Sequence, residues 1–237
     1  MCGRYSNSQH VDDLITQFVA DGGRAQDWRP SYSVAPSQSA PVVRSRSDDG
    51  TVTRELELAT WGFLPAWAKD GAKAPINARL ETVATNGLWR TAFASHRCLV
   101  PMSPGYFEWE QREDGKQPYL IHNAGRPLAA AGLYAARKVD DAWRISYSII
   151  TTEAQDAGGT VHDRMPVFVA SPLWDEWLDP GKVEDKDGML ELLEHSSAAI
   201  AATMATYPVG RELNNSRTVD RNDPRILEPI DERRPTG

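Results

Sequence analysis

Apolar side chains recur along this chain with two different periods, and each change of period marks an element. Val11, Leu14, Ile15, Phe18 and Val19 fall at helical spacing, with Asp12 and Asp13 at the end where the helix dipole favours negative charge. This predicts a helix over 11–19, stopped by Gly22-Gly23. A proline-rich extended stretch runs from Arg29 to Pro41. Residues 41–46 and 51–60 read as strands around Asp48-Asp49-Gly50, a hairpin signal. After Trp61-Gly62-Phe63-Leu64-Pro65 the chain is loop-like, then helical near Leu80 to Leu88. Short strands are expected at 97–101, 118–122, 127–134, 143–151 and 166–170. Trp143, Ile145, Tyr147 and Ile149 alternate as on a half-buried strand. Ser171-Pro172 opens a helix that carries Leu173, Trp174, Trp177 and Leu178 and stops near Pro180-Gly181. A second short helix fits 188–195. Many short strands with few helices indicate a single α+β domain, residues 2–220, followed by a polar, proline-containing, frayed tail over 221–237.

Composition narrows the class. A chain of 237 residues, 41% hydrophobic and 25% charged, can bury a substantial core, which excludes a disordered, collagen-like or coiled-coil protein. Two cysteines exclude a disulfide framework and a multi-cysteine zinc cage. No apolar run approaches the ~20 residues that cross a bilayer, and the polar N-terminus lacks the apolar core of a signal peptide, so a soluble, cytoplasmic protein is expected. The net charge of −7 argues against nucleic acid as a partner. The distribution of that charge argues the other way. Asp175, Glu176, Asp179, Glu184, Asp185, Asp187, Glu191 and Glu194 crowd one segment against Lys182 and Lys186 alone. That segment reads as a solvated helical face, and the nearly neutral remainder leaves room for a basic groove.

Cys2 carries the most chemistry. If Met1 is removed, Cys2 presents a free α-amine and a thiol on adjacent carbons, with reference pKa values of about 8 and about 8.5. Such a pair captures an aldehyde: the amine forms an imine, and sulfur closes a five-membered thiazolidine. Cysteine as an acyl-transfer nucleophile is the alternative, and an incidental early cysteine the third reading. Glu108 sits in the aromatic run Tyr106-Phe107-Glu108-Trp109, where desolvation raises a carboxyl pKa and suits a general acid or base. Glu110 shares its strand face, so periodicity does not separate the two, and a solvent-facing Glu108 stays open. His162, beside Asp163 and Arg164 after Gly158-Gly159, is a candidate proton donor or a structural histidine. Asn77 either orients a reacting amine or caps the following helix. Cys98 reads as a buried strand residue. A zinc site of Cys2, Cys98 and His162 has no supporting spacing, and no metal or other cofactor is expected.

Five ordered pieces then become recognisable: Met1-Cys2-Gly3-Arg4-Tyr5; Trp61-Gly62-Phe63 with Pro65 and Trp67; Ile76-Asn77-Ala78-Arg79-Leu80-Glu81-Thr82; Gly105-Tyr106-Phe107-Glu108-Trp109; and His162-Asp163-Arg164-Met165-Pro166. Together with Tyr207-Pro208-Val209 and Leu213-Asn214 they resemble the SOS-response-associated peptidase (SRAP) family over residues 2–215. The resemblance implies a DNA-damage protein that shields abasic sites in single-stranded DNA through a covalent thiazolidine cross-link at Cys2. It implies that the peptidase activity is self-removal of Met1, and that the chemistry is hydrolase- and lyase-like. By that resemblance Asn77 positions the amine, Glu108 moves protons, and His162 assists opening of the sugar. Arg4, Arg79 and Arg164 match phosphate-contacting positions, Trp67 a stacking position, and Pro36 and Thr151 minor groove-lining positions. The implied protein is a monomer, nucleoid-associated if bacterial. Ser33, Ala68 and Ser103-Pro104 depart from the family pattern. A cysteine peptidase acting on other proteins and a non-covalent single-stranded DNA-binding module are the alternatives.

Overall fold

The computed structural model describes residues 2–69 and 71–231. In chain order these form β1 (Tyr5–Asn7), α1 (Val11–Phe18), β2 (Gly23–Arg24), β3 (Ser31–Val34), β4 (Ser39–Asp48), β5 (Thr51–Trp61), β6 (Asn77–Arg79), α2 (Leu80–Val83) and α3 (Arg90–Ser95). There follow β7 (Arg97–Met102), β8 (Gly105–Arg112), β9 (Gly115–His122), β10 (Leu128–Val139), β11 (Ala142–Glu153), β12 (Arg164–Pro166), α4 (Trp174–Leu178), α5 (Lys186–Ala201) and β13 (Ala205–Pro208). The fold is α+β, as the alternation of short strands predicts.

Five strands close on themselves. The sheet runs β11-β10-β7-β4-β5, and β5 pairs back onto β11 in parallel through Thr60 with Ser146 and Trp61 with Tyr147. Closure removes the free edges that an open sheet would expose. The β4–β5 hairpin turns at Asp49 and Gly50, both with positive φ, the geometry that Asp-Gly supplies. β6 lies in parallel on β11, pairing Asn77 with Ile149, and β12 lies antiparallel on β11. A second sheet, ordered β13-β9-β8-β1-β3, packs on the barrel. Its central strand β8 is covered on both faces. Tyr106 enters the main core, whereas Phe107 joins Leu120, Val209, Leu213 and Ile226 in a smaller core. Gly105 begins β8 because a Cβ there would lie 1.9 Å from the Ile121 carbonyl oxygen.

Several expectations are corrected. The first helix ends at Phe18, with Val19 in the left-handed region as its cap, before the glycines are reached. The helix near 80–88 is only Leu80–Val83. The Asn86 side chain accepts from the Leu88 amide at 2.9 Å, a local turn that competes with helix, and α3 starts afresh at Arg90. The strand at 166–170 is regular only over Arg164–Pro166. The helix expected at 188–195 extends over Lys186–Ala201. Its buried face includes Ser196 and Ser197, whose hydroxyls accept from the Ala170 and Phe168 amides, so polar residues broke the apolar period. The eight acids of residues 171–195 are all exposed. The segment after Asp220 is tied back to the body of the protein rather than frayed, as far as Ile230, whose amide donates to the Pro208 carbonyl at 3.0 Å. Ile226 is buried, the Tyr32 amide donates to the Arg221 carbonyl at 2.8 Å, and Tyr207 donates to the Leu227 carbonyl at 3.0 Å. Residues 232–237 of that expected tail lie outside the described residues. Among the described residues no helix is long and apolar enough to cross a membrane.

Candidate active site

β1 runs between β3 and β8, with Tyr5 opposite both Val34 and Tyr106, and this register carries Cys2 into the core. Cys2 has no exposed surface. Its thiol is hydrogen-bonded to the Arg4 carbonyl at 4.0 Å. Burial pushes the thiol pKa well up, and the Glu108 charge adds to the rise. Asn77 meets Cys2 from the other side. Its Nδ2 donates to the Cys2 carbonyl at 2.9 Å, while its Oδ1 is buried with no hydrogen-bond partner. Asn77 is a strand residue on β6, and the cap position of α2 belongs to Arg79, so the capping reading is overturned.

Glu108 is 3% exposed, whereas Glu110 is half-buried. Glu110 lies two residues further along the same face, at the rim, and pairs with Arg112 at 2.6 Å. Burial raises the Glu108 pKa to about 8, and the charges of Asp156 and Asp163 push in the same direction. At neutral pH Glu108 therefore holds a proton that an ordinary carboxylate has lost. His162 lies in the turn after the 3-10 segment Ala157–Thr160. Its Nδ1 accepts from the Arg164 amide at 3.0 Å and lies 3.0 Å from Asp163 Oδ1. One nitrogen cannot serve both contacts in one protonation state. Burial holds the His162 pKa below its ordinary value, which favours the neutral ring with Nδ1 as acceptor and the proton on Nε2.

Sequence reading missed the groups behind this cluster. The Tyr106 hydroxyl donates to Asp156 Oδ2 at 2.6 Å. The hydroxyls of Tyr5 and Tyr147 are 2.6 Å apart. The signal for Asp156 was present: Asp before Ala-Gly-Gly is an Asx-turn sequence, and Asp156 does accept from the Gly158 amide at 2.9 Å. Among the described residues no group of three or more His, Cys, Asp or Glu is placed to hold a metal, and the two cysteines are free and buried.

The six expected DNA-contacting positions divide. Pro36, Trp67 and Arg79 are exposed. Trp67 is 72% exposed, as Trp143 is at 62%, whereas Trp28, Trp61, Trp89 and Trp177 are buried. Trp67 borders a cleft of about 480 Å³ with Phe63, Pro65, Ala68, Lys69 and Lys73. Thr151 is buried on β11. Arg164 is engaged by Glu81 through two bonds of 2.7 and 3.0 Å and also donates to the Thr151 carbonyl at 2.7 Å. Arg4 is buried. Its Nη1 donates to Ser33 at 2.9 Å and to the Leu213 carbonyl at 3.3 Å, and its guanidinium lies over Trp109. Ser33 thus has a partner that its sequence position did not announce. Ser103, ahead of Glu108, is tied to β1: its amide donates to the Ser6 carbonyl at 2.8 Å, and its own carbonyl accepts from the Ser6 hydroxyl at 2.8 Å.

The chain is 34% identical over 235 residues to abasic site processing protein YoqW of Bacillus subtilis, covering 96% of this chain and 99% of that one. It is 28% identical to abasic site processing protein YedK of Escherichia coli, covering 97% of this chain and 100% of that one. Abasic site processing protein HMCES of Xenopus tropicalis is 28% identical, with 97% of this chain matched to 78% of the other. A crystal structure from Bacteroides thetaiotaomicron, 22% identical, superposes with a TM-score of 0.76 over 97% of this chain and 100% of its own. The profile of the SOS response associated peptidase family matches residues 1–216, so this chain belongs to the SRAP family.

Proposed function

We propose that this protein handles abasic sites in single-stranded DNA by coupling to them covalently through Cys2. Hydrolysis of the Met1–Cys2 peptide bond consumes one water and frees the Cys2 amine. The amine adds to the aldehyde carbon of the ring-opened sugar, and loss of one water gives an imine. The thiol sulfur then adds to the same carbon while its proton passes to nitrogen, closing a thiazolidine. Glu108, protonated near neutrality, gives its proton to the departing hydroxyl and takes one back on reversal. The Asn77 amide fixes the Cys2 carbonyl and leaves Oδ1 as an acceptor for the amine. His162 Nε2–H serves the sugar oxygen during ring opening.

The observation that carries this reading is the joint burial of Cys2 and Glu108, with Asn77 bonded to the Cys2 backbone. It weighs against a peptidase acting on other proteins. A thiol pushed up by burial and by a neighbouring carboxylate is a poor free thiolate, and its hydrogen bond goes to a carbonyl rather than an imidazole. Amine-first capture does not need the thiolate at the start. The test incubates the protein with an oligonucleotide carrying one abasic site and separates the products under denaturing conditions. A denaturant-resistant adduct is expected from wild type and none from Cys2→Ala. Equal adduct from both proteins refutes the role of Cys2. Turnover of a peptide panel that is lost in Cys2→Ala, without a DNA adduct, would support the peptidase instead.

A further inference from the structure

The turn at residues 35–38 and the segment at 216–221 face each other across an open polar groove of about 630 Å³. Pro36 and Gln38 lie on one bank, Ser216, Arg217, Val219 and Arg221 on the other, and no acidic side chain lines it among the described residues. Arg217 and Arg221 are exposed, and among the described residues neither guanidinium has a hydrogen-bond or ion-pair partner. Among the described residues Arg24, Arg79, Arg90, Arg126 and Arg144 are exposed without a partner as well; what sets Arg217 and Arg221 apart is that both line one groove. Arg54, Arg112, Arg164, Arg211 and Arg225 are each held by a carboxylate, as a net charge of −7 encourages.

The groove is also tied to the reacting residue. Arg4, two positions after Cys2, donates from one nitrogen to Ser33, just before the first bank, and to the Leu213 carbonyl, just before the second. Both banks are therefore set by the strand that delivers Cys2. Beyond Gln38 and Arg221, which it shares, a second groove of about 380 Å³ continues past Trp28, Arg29 and Asn222, with Asp27 at its side.

We infer that the groove between residues 35–38 and 216–221 is a phosphodiester-binding channel in which Arg217 and Arg221 neutralise the backbone of the DNA strand on one side of the lesion. This rests on the reading of abasic DNA as the substrate. Two unpartnered guanidinium groups in an acid-free channel suit a polyanion, and they contact backbone rather than bases, so they add affinity without sequence preference.

The test uses oligonucleotides containing a tetrahydrofuran abasic analogue, which has no aldehyde and binds reversibly. One carries a long flank only 5′ of the lesion, one only 3′, and one carries both. For Arg217→Ala/Arg221→Ala, weaker binding is expected with the two-flank probe and with one of the single-flank probes, and no change with the other. The slope of log affinity against log salt should fall by about 1.4, since each single-strand phosphate contact contributes about 0.7. Arg217→Lys/Arg221→Lys should restore most of that slope. Unchanged affinity and slope on every probe, or equal loss on both single-flank probes, overturns the channel while leaving covalent capture standing. A wild-type protein that neither binds these probes nor couples to true abasic DNA overturns both.

Discussion

The hydroxyl of Tyr106 donates to Asp156 at 2.6 Å, and this bond joins the strand that carries Glu108 to the turn that carries His162. Asp156 in turn accepts from the Gly158 amide at 2.9 Å, and the Gly158 carbonyl accepts from the His162 amide at 2.9 Å. Gly158 is required where it is, because a Cβ there would lie 3.1 Å from the Tyr106 hydroxyl and 2.9 Å from Ile121 Cγ1. The relationship has an electrical side as well, since the Asp156 charge raises the pKa of both Cys2 and Glu108.

Asp156→Asn keeps the shape and the acceptor but removes the charge. With that charge gone, Glu108 titrates at lower pH, so the alkaline limb of the coupling rate should move to lower pH. Tyr106→Phe should leave that limb closer to wild type and lower the rate about tenfold, because it loosens the His162 turn and leaves Asp156 short of a donor. Rate profiles between pH 5 and pH 9 with abasic oligonucleotide check both. An unshifted alkaline limb in Asp156→Asn removes Asp156 from the proton chemistry.

Glu108 itself links stability to pH in the sense opposite to an ion-paired carboxylate. Its folded pKa is about 8 because of burial, against about 4.3 when unfolded. Between these values the folded chain binds more protons than the unfolded one, so stability falls as pH rises through that window and levels off above it. Glu108→Gln has no such proton to lose. The variant should melt close to wild type near pH 4 to 5 and increasingly above it towards pH 9, while coupling slows about a hundredfold. Parallel melting curves at every pH would show that Glu108 is not held protonated by the fold.

Much of this was legible from residue order, for identifiable reasons. The alternation of Trp143, Ile145, Tyr147 and Ile149 corresponds to β11, because successive side chains of a strand point to opposite faces and these four share one. Asp48-Asp49-Gly50 was readable because its positive φ angles demand those residue types. Closure of the barrel was not readable, since it rests on only two residue pairs between β5 and β11. Nor was the difference in burial between Glu108 and Glu110, which turns on where β8 leaves the core rather than on spacing. Asn77 looked equally like a cap and a site residue until β6 was seen paired with β11. Partnerships at long sequence distance, Arg4 with Ser33 and Leu213 or Arg164 with Glu81, leave no periodic trace.

Arg164 is matched to a phosphate-contacting position, yet its guanidinium is already clasped by the Glu81 carboxylate. Contact with Arg164 draws the Glu81 pKa down against the effect of its burial, so Glu81 stays charged at neutral pH. A DNA phosphate must displace that carboxylate or share the arginine with it. Glu81→Gln keeps one acceptor and removes the competing charge. Binding of a tetrahydrofuran-containing oligonucleotide should tighten severalfold at low salt. The melting temperature should change little, because a half-exposed pair contributes less than about 1 kcal/mol. Equal or weaker binding by Glu81→Gln means that Arg164 does not meet a phosphate.

Arg4 and Arg79 share the same sequence-based expectation of phosphate contact, and the structure makes them separable. Arg79 is exposed and, among the described residues, its guanidinium has no partner. Arg4 is buried, spans Ser33 and the Leu213 carbonyl, and stacks over Trp109. Its burial also pulls its pKa below the ordinary arginine value, the mark of a charge held away from water. A surface guanidinium that binds phosphate releases counterions, whereas a buried brace does not. Arg79→Ala should therefore lower the salt slope of DNA binding by about 0.7 with little loss of stability. Arg4→Met should leave the slope near wild type and destabilise the fold by about 2–3 kcal/mol in denaturant unfolding, because Ser33 and the Leu213 carbonyl lose a charged donor. Ser33→Ala should cost about 1 kcal/mol in the same measurement. A salt slope that falls in Arg4→Met as much as in Arg79→Ala would make Arg4 a phosphate contact after all and remove the brace that sets the two banks of the groove.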